Sequence, residues 1–133
     1  VPDYPLDIDF GGQVALFGYD WQREGTELRL KTYWRAEQPM TVDYTIFVHL
    51  LGADGDLIAQ HDAQPGNGRY PTSIWDVGEV VVDKVVLSWP PEAAPAQIAI
   101  GLYRLDTQEQ LPVVGEAGKT AVILAEPFAG PGE

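Results

Sequence analysis

Apolar and polar positions alternate along this chain in short runs that predict β-strands. In Glu27–Ala36, apolar or threonine side chains occupy every second position, and Trp34 is one of them. This period of two predicts a strand with one buried face, to which Trp34 belongs. No segment sustains the period of an amphipathic helix. The predicted strands are Val14–Asp20, Glu27–Ala36, Tyr44–Leu51, Leu57–Asp62, Val80–Trp89, Gln97–Tyr103, Leu111–Val114 and Ala121–Ala125.

The strongest local signal is a hairpin around Asp54-Gly55, which separates two apolar runs and is typical of a two-residue turn. The arm before the turn, Tyr44–Leu51, is apolar on both faces, so we expect it inside a sheet, with Phe47 buried. Seven or eight strands with turn signals between them predict an all-β fold. We expect an antiparallel β-sandwich, either immunoglobulin-like or a jelly roll.

The 133 residues match the size of one domain. Residues 1–13 contain two prolines and two glycines, so we expect them to lead into the domain across its surface. Residues 14–125 form the predicted single β-sandwich domain, and residues 126–133 the predicted C-terminal linker. Because the chain begins with Val1 and has Pro- and Gly-rich ends, we expect it to belong to a longer protein.

Composition narrows the range of partners. Twenty acidic residues against eight basic ones give a formal charge of −12, which repels phosphate backbones and anionic lipids. We therefore expect no binding to nucleic acid. The chain has no cysteine and no apolar run of about eighteen residues, so we expect neither thiolate chemistry nor direct membrane insertion of this segment.

The two histidines lie on the two arms of the predicted hairpin. With a two-residue turn, position 49 pairs with position 60, and the imidazoles of His49 and His61 then point to opposite faces. A loop of odd length would bring them to one face. We therefore predict a hydrogen-bonded, structural His49 and an exposed His61 rather than a joint site.

No known catalytic or metal-binding pattern occurs in the chain. Asp54 and Asp56 have the spacing of calcium ligands, and Asp7 and Asp9 could join them, but the other positions of a calcium loop are missing. Nucleophile elbows, zinc motifs and Gly-rich phosphate loops are missing from the sequence as well. We predict no metal site, no cofactor and no catalytic activity of the isolated domain.

One long irregular segment, Gln64–Gly78, is the predicted ligand-binding loop, because exposed aromatic rings beside polar groups can stack on and hydrogen-bond a sugar. In a second interpretation, which we favour, Tyr70, Ile74 and Trp75 turn inward and close the end of the sandwich. Such a loop must usually bury large apolar side chains to become ordered. The candidate binding residues are Asn67, Arg69, Tyr70, Trp75 and Asp76.

Five stretches follow one another within about residues 10–114: FGGQVALFGYD, LRLKTYWRA, DYTIFVHLLGADGDLIAQHDAQP, YPTSIWDVGEVVVD and IGLYRLDTQEQLPV. In this succession, the chain resembles the soluble β-sandwich segment at the C-terminal end of many bacterial multi-pass membrane glycosyltransferases of the mannosyltransferase type. The resemblance implies an extracytoplasmic accessory domain of the cell envelope. It implies no catalytic residue here, because the lipid-linked sugar chemistry of such proteins belongs to their transmembrane part.

Three functions follow as hypotheses. The first is a non-catalytic accessory domain, for binding or spacing, of a membrane glycosyltransferase; its partner would be a neutral glycan or the membrane-embedded part of its own parent protein. The alternative is a free-standing carbohydrate-binding module, and the third is an enzyme of unrecognised type. Transmembrane segments in the full-length protein would support the first, a neighbouring glycoside hydrolase the second, and a cleft of carboxylates with raised pKa values the third.

Overall fold

The computed structural model describes residues 2–128 of the chain, which form eight β-strands. These are β1 (Tyr4–Phe10), β2 (Val14–Glu24), β3 (Glu27–Ala36), β4 (Tyr44–Gly52), β5 (Leu57–Ala63), β6 (Val80–Ser88), β7 (Pro95–Arg104) and β8 (Val122–Leu124). Sheet A has the order β1-β2-β3-β6, and sheet B has the order β5-β4-β7-β8. All neighbouring strands run antiparallel, which confirms the predicted all-β sandwich.

The strand order favours the immunoglobulin-like alternative over the jelly roll. In the immunoglobulin fold, the third, sixth and seventh strands lie side by side, and the second pairs with the fifth. Counting from β2, the same pairings join β4 to β7, β7 to β8, and β3 to β6. β1 precedes this set as an additional edge strand of sheet A.

Both sheets bury one face in a shared apolar core. Trp34 is fully buried, its ring lies 6.0 Å from that of Phe10, and its indole N–H donates to the Thr32 hydroxyl at 2.8 Å. The predicted burial of Trp34 and Phe47 is confirmed, at 0 % and 6 % exposure. Phe47, however, lies on the outer face of sheet B, because it follows the core residue Ile46 along β4.

The hairpin between β4 and β5 forms where the Asp-Gly pair predicts it, but its turn is longer than two residues. The Gly52 N–H donates to the Asp56 carbonyl at 2.8 Å, which leaves residues 53–55 as a three-residue loop. Gly55 has φ 89°, the left-handed conformation that this type of loop requires. One extra residue in β5, Ile58, then restores the register that a two-residue turn would have given.

The two histidines therefore lie on opposite faces of sheet B, and the predicted pairing of positions 49 and 60 is confirmed despite the odd loop length. His61 pairs with the core residue Val48, so it lies on the inner face, whereas His49 lies on the outer one. The His49 imidazole faces the Asp62 carboxylate at 3.5 Å. His61, which we expected to be exposed, is half-buried near the carboxylate of Asp83.

The N-terminal segment differs from its prediction. It does not simply cross the surface, because Tyr4–Phe10 pair with β2 as β1. An edge strand of this kind accommodates Pro5, whose nitrogen cannot donate a ladder hydrogen bond.

Two segments near the C-terminus also differ. The predicted strand Leu111–Val114 reduces to an isolated bridge between Val113 and Phe10, so the chain crosses here from sheet B toward sheet A. Of the predicted C-terminal linker, Glu126–Phe128 form a short 3-10 turn, and residues 129–133 lie outside the described residues.

Asp83 is a buried carboxylate on β6, an edge strand of sheet A. It is buried and accepts a hydrogen bond from the Gly66 N–H at 2.9 Å. Burial raises the pKa of this carboxyl, and the Gly66 N–H and the nearby His61 offset that effect only in part. An inward-pointing charge on an edge strand also opposes edge-to-edge association.

Asp83→Asn is expected to stabilise the domain at neutral pH, with a smaller gain under acidic conditions. The folded-state pKa of Asp83 lies above its ordinary value of 3.8. The wild type therefore loses stability as the pH rises from that ordinary value through the folded-state pKa. Asparagine carries no charge and can still accept the bond from Gly66. Urea unfolding of both proteins near pH 4 and near pH 7 measures the gain, and a larger gain near pH 4 would contradict this account.

Candidate functional site

The loop of residues 64–78, which joins β5 to β6, closes one end of the sandwich. Its Trp75 is 4 % exposed, and the indole N–H donates to the Tyr70 carbonyl at 2.8 Å. The buried Thr72 hydroxyl donates to the Val42 carbonyl at 2.7 Å and accepts the first N–H of β4 at 3.0 Å. These bonds attach the loop to sheet B.

The loop does not present its aromatic rings together with its polar groups. The Trp75 ring is buried and offers no face for stacking, whereas Ile74, expected to turn inward, is 54 % exposed. Tyr70 is half-buried, and its hydroxyl donates to the Glu79 carboxylate; this bond raises the pKa of Tyr70 and lowers that of Glu79. The three remaining candidate residues are exposed: Asn67, Arg69 and Asp76.

A second group of aromatic and polar side chains converges on the outer face of sheet B. Phe47 on β4 pairs with Asp62 on β5 and with Gly101 on β7. Side chains two positions apart on a strand share a face. His49, two residues after Phe47, and Tyr103, two residues after Gly101, therefore lie on the same outer face. Because Gly101 has no side chain, the Phe47 ring lies against β7: a Cβ at this position would meet two of its ring carbons at 2.5 Å.

The segment that follows β7 forms the rim of this site. Tyr103 and Gln110 form an isolated antiparallel bridge, so the chain turns back beside β7. Gln108 lies in the turn with φ 64°, and the Gln110 side chain accepts a hydrogen bond from the Thr120 hydroxyl. The outer-face cleft is lined by Phe47, His49, Asp62, Tyr103, Gln108 and Gln110.

The hydrogen bonds of the cleft centre on Asp62. One oxygen of this carboxylate accepts the Tyr103 hydroxyl at 3.0 Å, and the other faces His49 Nε2 at 3.5 Å. The His49 and Asp62 side chains are 31 % and 26 % exposed, so both reach solvent. Burial and the bond to Asp62 raise the pKa of Tyr103, whose hydroxyl stays protonated at neutral pH.

The rings of the cleft pack against one another, with Phe47 buried at 6 % exposure and His49 and Tyr103 partly exposed. The centroid of Phe47 lies 5.0 Å from that of His49 and 6.2 Å from that of Tyr103. The amides of Gln108 and Gln110 can each donate and accept hydrogen bonds. The partly exposed Tyr103 ring beside such polar groups suits a sugar ring, which has a C–H face and a hydroxyl edge.

The size of the cleft limits what it can enclose. Its volume is about 190 Å³, below the roughly 300–1,000 Å³ of pockets that bury a drug-sized ligand. A single small unit of a longer chain therefore fits this site better than a large free molecule.

Local sequence patterns do not identify this cleft, although part of its signal is present in them. The predicted pairing of positions 49 and 60 also places Asp62 opposite Phe47. Neither the neighbouring position of β7 nor the returning segment with Gln108 and Gln110 follows from local patterns.

Trp89 offers a further, half-buried aromatic surface at the end of β6, but one face of its ring is already occupied. The Arg23 guanidinium lies 3.9 Å from the ring centroid, and Phe128 makes an edge contact at 5.6 Å. This cation–π contact occupies the face that would stack on a sugar.

Within residues 2–128, no group of three or more His, Cys, Asp or Glu side chains is placed to hold a metal ion. Asp54 accepts a hydrogen bond from the Asp56 N–H at 3.2 Å, and Asp9 accepts one from the Gly12 N–H at 2.8 Å. Both carboxylates thus cap local turns.

Calcium is expected to have no effect on stability. Thermal melts with excess calcium and with a chelator should coincide, whereas a ligand at a hundred times its dissociation constant adds about 2.7 kcal/mol. A calcium-dependent rise of several degrees would show that Asp7 and Asp9, or Asp54 and Asp56, bind the ion.

Comparisons of this chain with protein families, with curated proteins and with solved structures find no match. In the part of the chain that the structure describes, no helix is long and apolar enough to cross a membrane.

Proposed function

We propose that this chain is a non-catalytic accessory domain of a membrane glycosyltransferase, and that it binds a neutral glycan through the outer-face cleft of sheet B. The observation that carries the binding role is that the partly exposed Tyr103 ring, an imidazole and two primary amides converge in this cleft beside the buried Phe47. Two strands and one returning segment supply these groups.

The charges of the cleft favour a neutral glycan. Asp62 contributes a carboxylate, and the lining residues in the described part of the chain include neither Lys nor Arg. A sulfated or phosphorylated sugar would bring a negative charge toward Asp62 in a chain of formal charge −12.

The bonds of Asp62 support binding rather than catalysis. One of its oxygens is engaged by the Tyr103 hydroxyl and the other faces His49, so the carboxylate serves to orient these two groups. A general acid or base instead needs a position within hydrogen-bonding reach of the reacting atom.

The glycosyltransferase context is supported by the sequence resemblance over about residues 10–114, and with it an extracytoplasmic location. The second candidate function is a free-standing carbohydrate-binding module, which the same cleft would serve. The full-length reading frame separates the two: transmembrane segments are expected, and a glycoside hydrolase neighbour would favour the module instead.

Binding is expected to be weak, with dissociation constants near millimolar, because one ring-sized contact gives only about −4 kcal/mol after the cost of association. A glycan array identifies the neutral sugar. Titration calorimetry then measures the dissociation constant of that sugar for the wild type and for Gln110→Ala. This variant loses one hydrogen bond and should bind about fivefold more weakly, which corresponds to about 1 kcal/mol.

Arg69→Ala, an exposed substitution in the 64–78 loop, is the matched control and should bind like the wild type. Weakened binding by Arg69→Ala together with unchanged binding by Gln110→Ala would show that the glycan binds the 64–78 loop instead of the cleft.

A further inference from the structure

Two lysines lie directly opposite each other on the outer face of sheet A. Lys31 on β3 pairs with Lys84 on β6, and both are exposed. Like charges at opposed positions of neighbouring strands destabilise a sheet. Although the chain has 20 acidic and only 8 basic residues, neither lysine makes an ion pair or a hydrogen bond within residues 2–128.

Edge protection explains only one of the two lysines. Lys84 lies on an edge strand, where a lysine opposes aggregation. Lys31 lies on β3, which has a neighbour on each side, so edge protection does not account for it. Lys31 also lies opposite the Asp20 carboxylate of β2, a favourable cross-strand pair, so the two lysines together offer a binding site only part of their charge.

The lysine pair borders a cleft of about 430 Å³, which is larger than the outer-face cleft of sheet B. Arg29, which also lines this sheet A cleft, is already paired with Glu24 at 3.1 Å and Glu27 at 2.9 Å. The remaining positive charge of the cleft comes from Lys84 and from Lys31, whose charge is partly balanced by the Asp20 carboxylate opposite it on β2.

The wall of the sheet A cleft on the β2 side, next to Lys31, carries oxygen acceptors. Asp20 pairs with Lys31 from the β2 side, and it is fixed by bonds from the Tyr33 hydroxyl and the Asp3 N–H, both at 2.5 Å. Asp3 and Gln22 complete this wall. Carboxylate and amide groups of this kind accept hydrogen bonds from sugar hydroxyls.

We propose that the sheet A cleft binds an acidic sugar, with the carboxylate of a uronic acid at Lys31 and Lys84 and its hydroxyls at Asp3, Asp20 and Gln22. A carboxylate carries a single charge, whereas a phosphate monoester carries nearly two and would be repelled more strongly by the two aspartates. This site is on the other sheet and is independent of the neutral glycan in the outer-face cleft.

The test is an NMR titration with trigalacturonate, with neutral galactotriose and with inorganic phosphate as the comparison ligands. The wild type should show saturable shifts for residues of the sheet A cleft with trigalacturonate only. Lys84→Gln and the double variant Lys31→Gln/Lys84→Gln should weaken binding at least tenfold, and Lys84→Arg should retain it. Raising the salt concentration should also weaken binding, because it screens the lysine charges.

Lys119→Gln removes a lysine outside the cleft and should leave trigalacturonate binding unchanged. The urea midpoint of Lys84→Gln should not fall, since this variant removes one of two repelling charges. Equal binding by the double variant, equal binding of galactotriose, or stronger binding of phosphate would each overturn the proposal. None of these outcomes tests the proposed glycan binding in the outer-face cleft, which is tested separately with neutral sugars and Gln110→Ala.

Discussion

Trp34→Ala is expected to lower the free energy of unfolding by roughly 3 to 5 kcal/mol, the usual cost of truncating a buried aromatic side chain to alanine. Trp34 is fully buried against Phe10, between Leu16 of β2 and Val81 of β6. Its indole N–H also donates to the buried Thr32 hydroxyl, so the substitution removes a hydrogen bond as well as volume. The loss is a large part of the 5 to 15 kcal/mol that is typical of a domain.

Urea unfolding followed by tryptophan fluorescence or circular dichroism measures this effect. Arg35→Ala is the matched control, because Arg35 is the next residue on β3 but points to solvent. Its contacts there are the Glu37 carboxylate at 3.3 Å and the Phe17 ring, whose centroid is 5.4 Å from the guanidinium. The control should lose at most about 1 kcal/mol. If the urea midpoint of Trp34→Ala equalled that of wild type, Trp34 would not be on the buried face of β3.

Gly101→Ala is expected to destabilise the domain by roughly 1 to 3 kcal/mol, the range of overpacking in a well-packed site. The added Cβ would lie 2.5 Å from ring carbons of Phe47 and 2.6 Å from the Thr120 carbonyl oxygen. Either the ring or the backbone must therefore move. Since Phe47 lines the outer-face cleft, binding of a neutral glycan should weaken together with stability.

Gly52→Ala provides the control for this substitution. Gly52 is also buried in sheet B, but a Cβ there would meet Asp54 Oδ1 at 3.4 Å, an ordinary contact. Chemical denaturation and a neutral-glycan titration of both variants should separate them. Equal stability of Gly101→Ala and wild type would contradict the close approach of Phe47 to β7.

The sandwich could be predicted from the sequence because its strands carry local signals. Alternation along β3 identifies the buried face of Trp34, and the two-sided apolar pattern of β4 identifies a strand with neighbours on both sides. The Asp-Gly pair locates the hairpin. It could not specify the three-residue loop, whose effect on the register is cancelled by the extra residue Ile58.

β1 was missed although its own pattern was present. Tyr4, Leu6, Ile8 and Phe10 alternate with polar residues or proline, a period of two. The two prolines and two glycines of residues 1–13 mask this period. Pro5 is tolerated because β1 lies at an edge, and an edge position is a tertiary property that a single segment does not reveal.

The candidate site depended on tertiary pairing and could be predicted only in part. Aromatic content pointed to the 64–78 loop, but the inward turn of Trp75 is decided by hydrogen bonds to Tyr70 and packing on the core. The outer-face cleft requires β7 to lie beside β4, a contact between positions about fifty residues apart in the chain. Such pairings depend on the whole fold rather than on local periodicity.

The most direct test of the proposed function is to locate glycan binding on the folded domain. A titration with the neutral glycan selected by the array, followed by backbone amide and side-chain amide signals in NMR, should shift His49, Asp62, Tyr103, Gln108 and Gln110. The indole N–H signal of Trp75, bonded to Tyr70, should stay unchanged. Shifts confined to the 64–78 loop, or no shift with any neutral glycan, would contradict the assignment of glycan binding to the outer-face cleft.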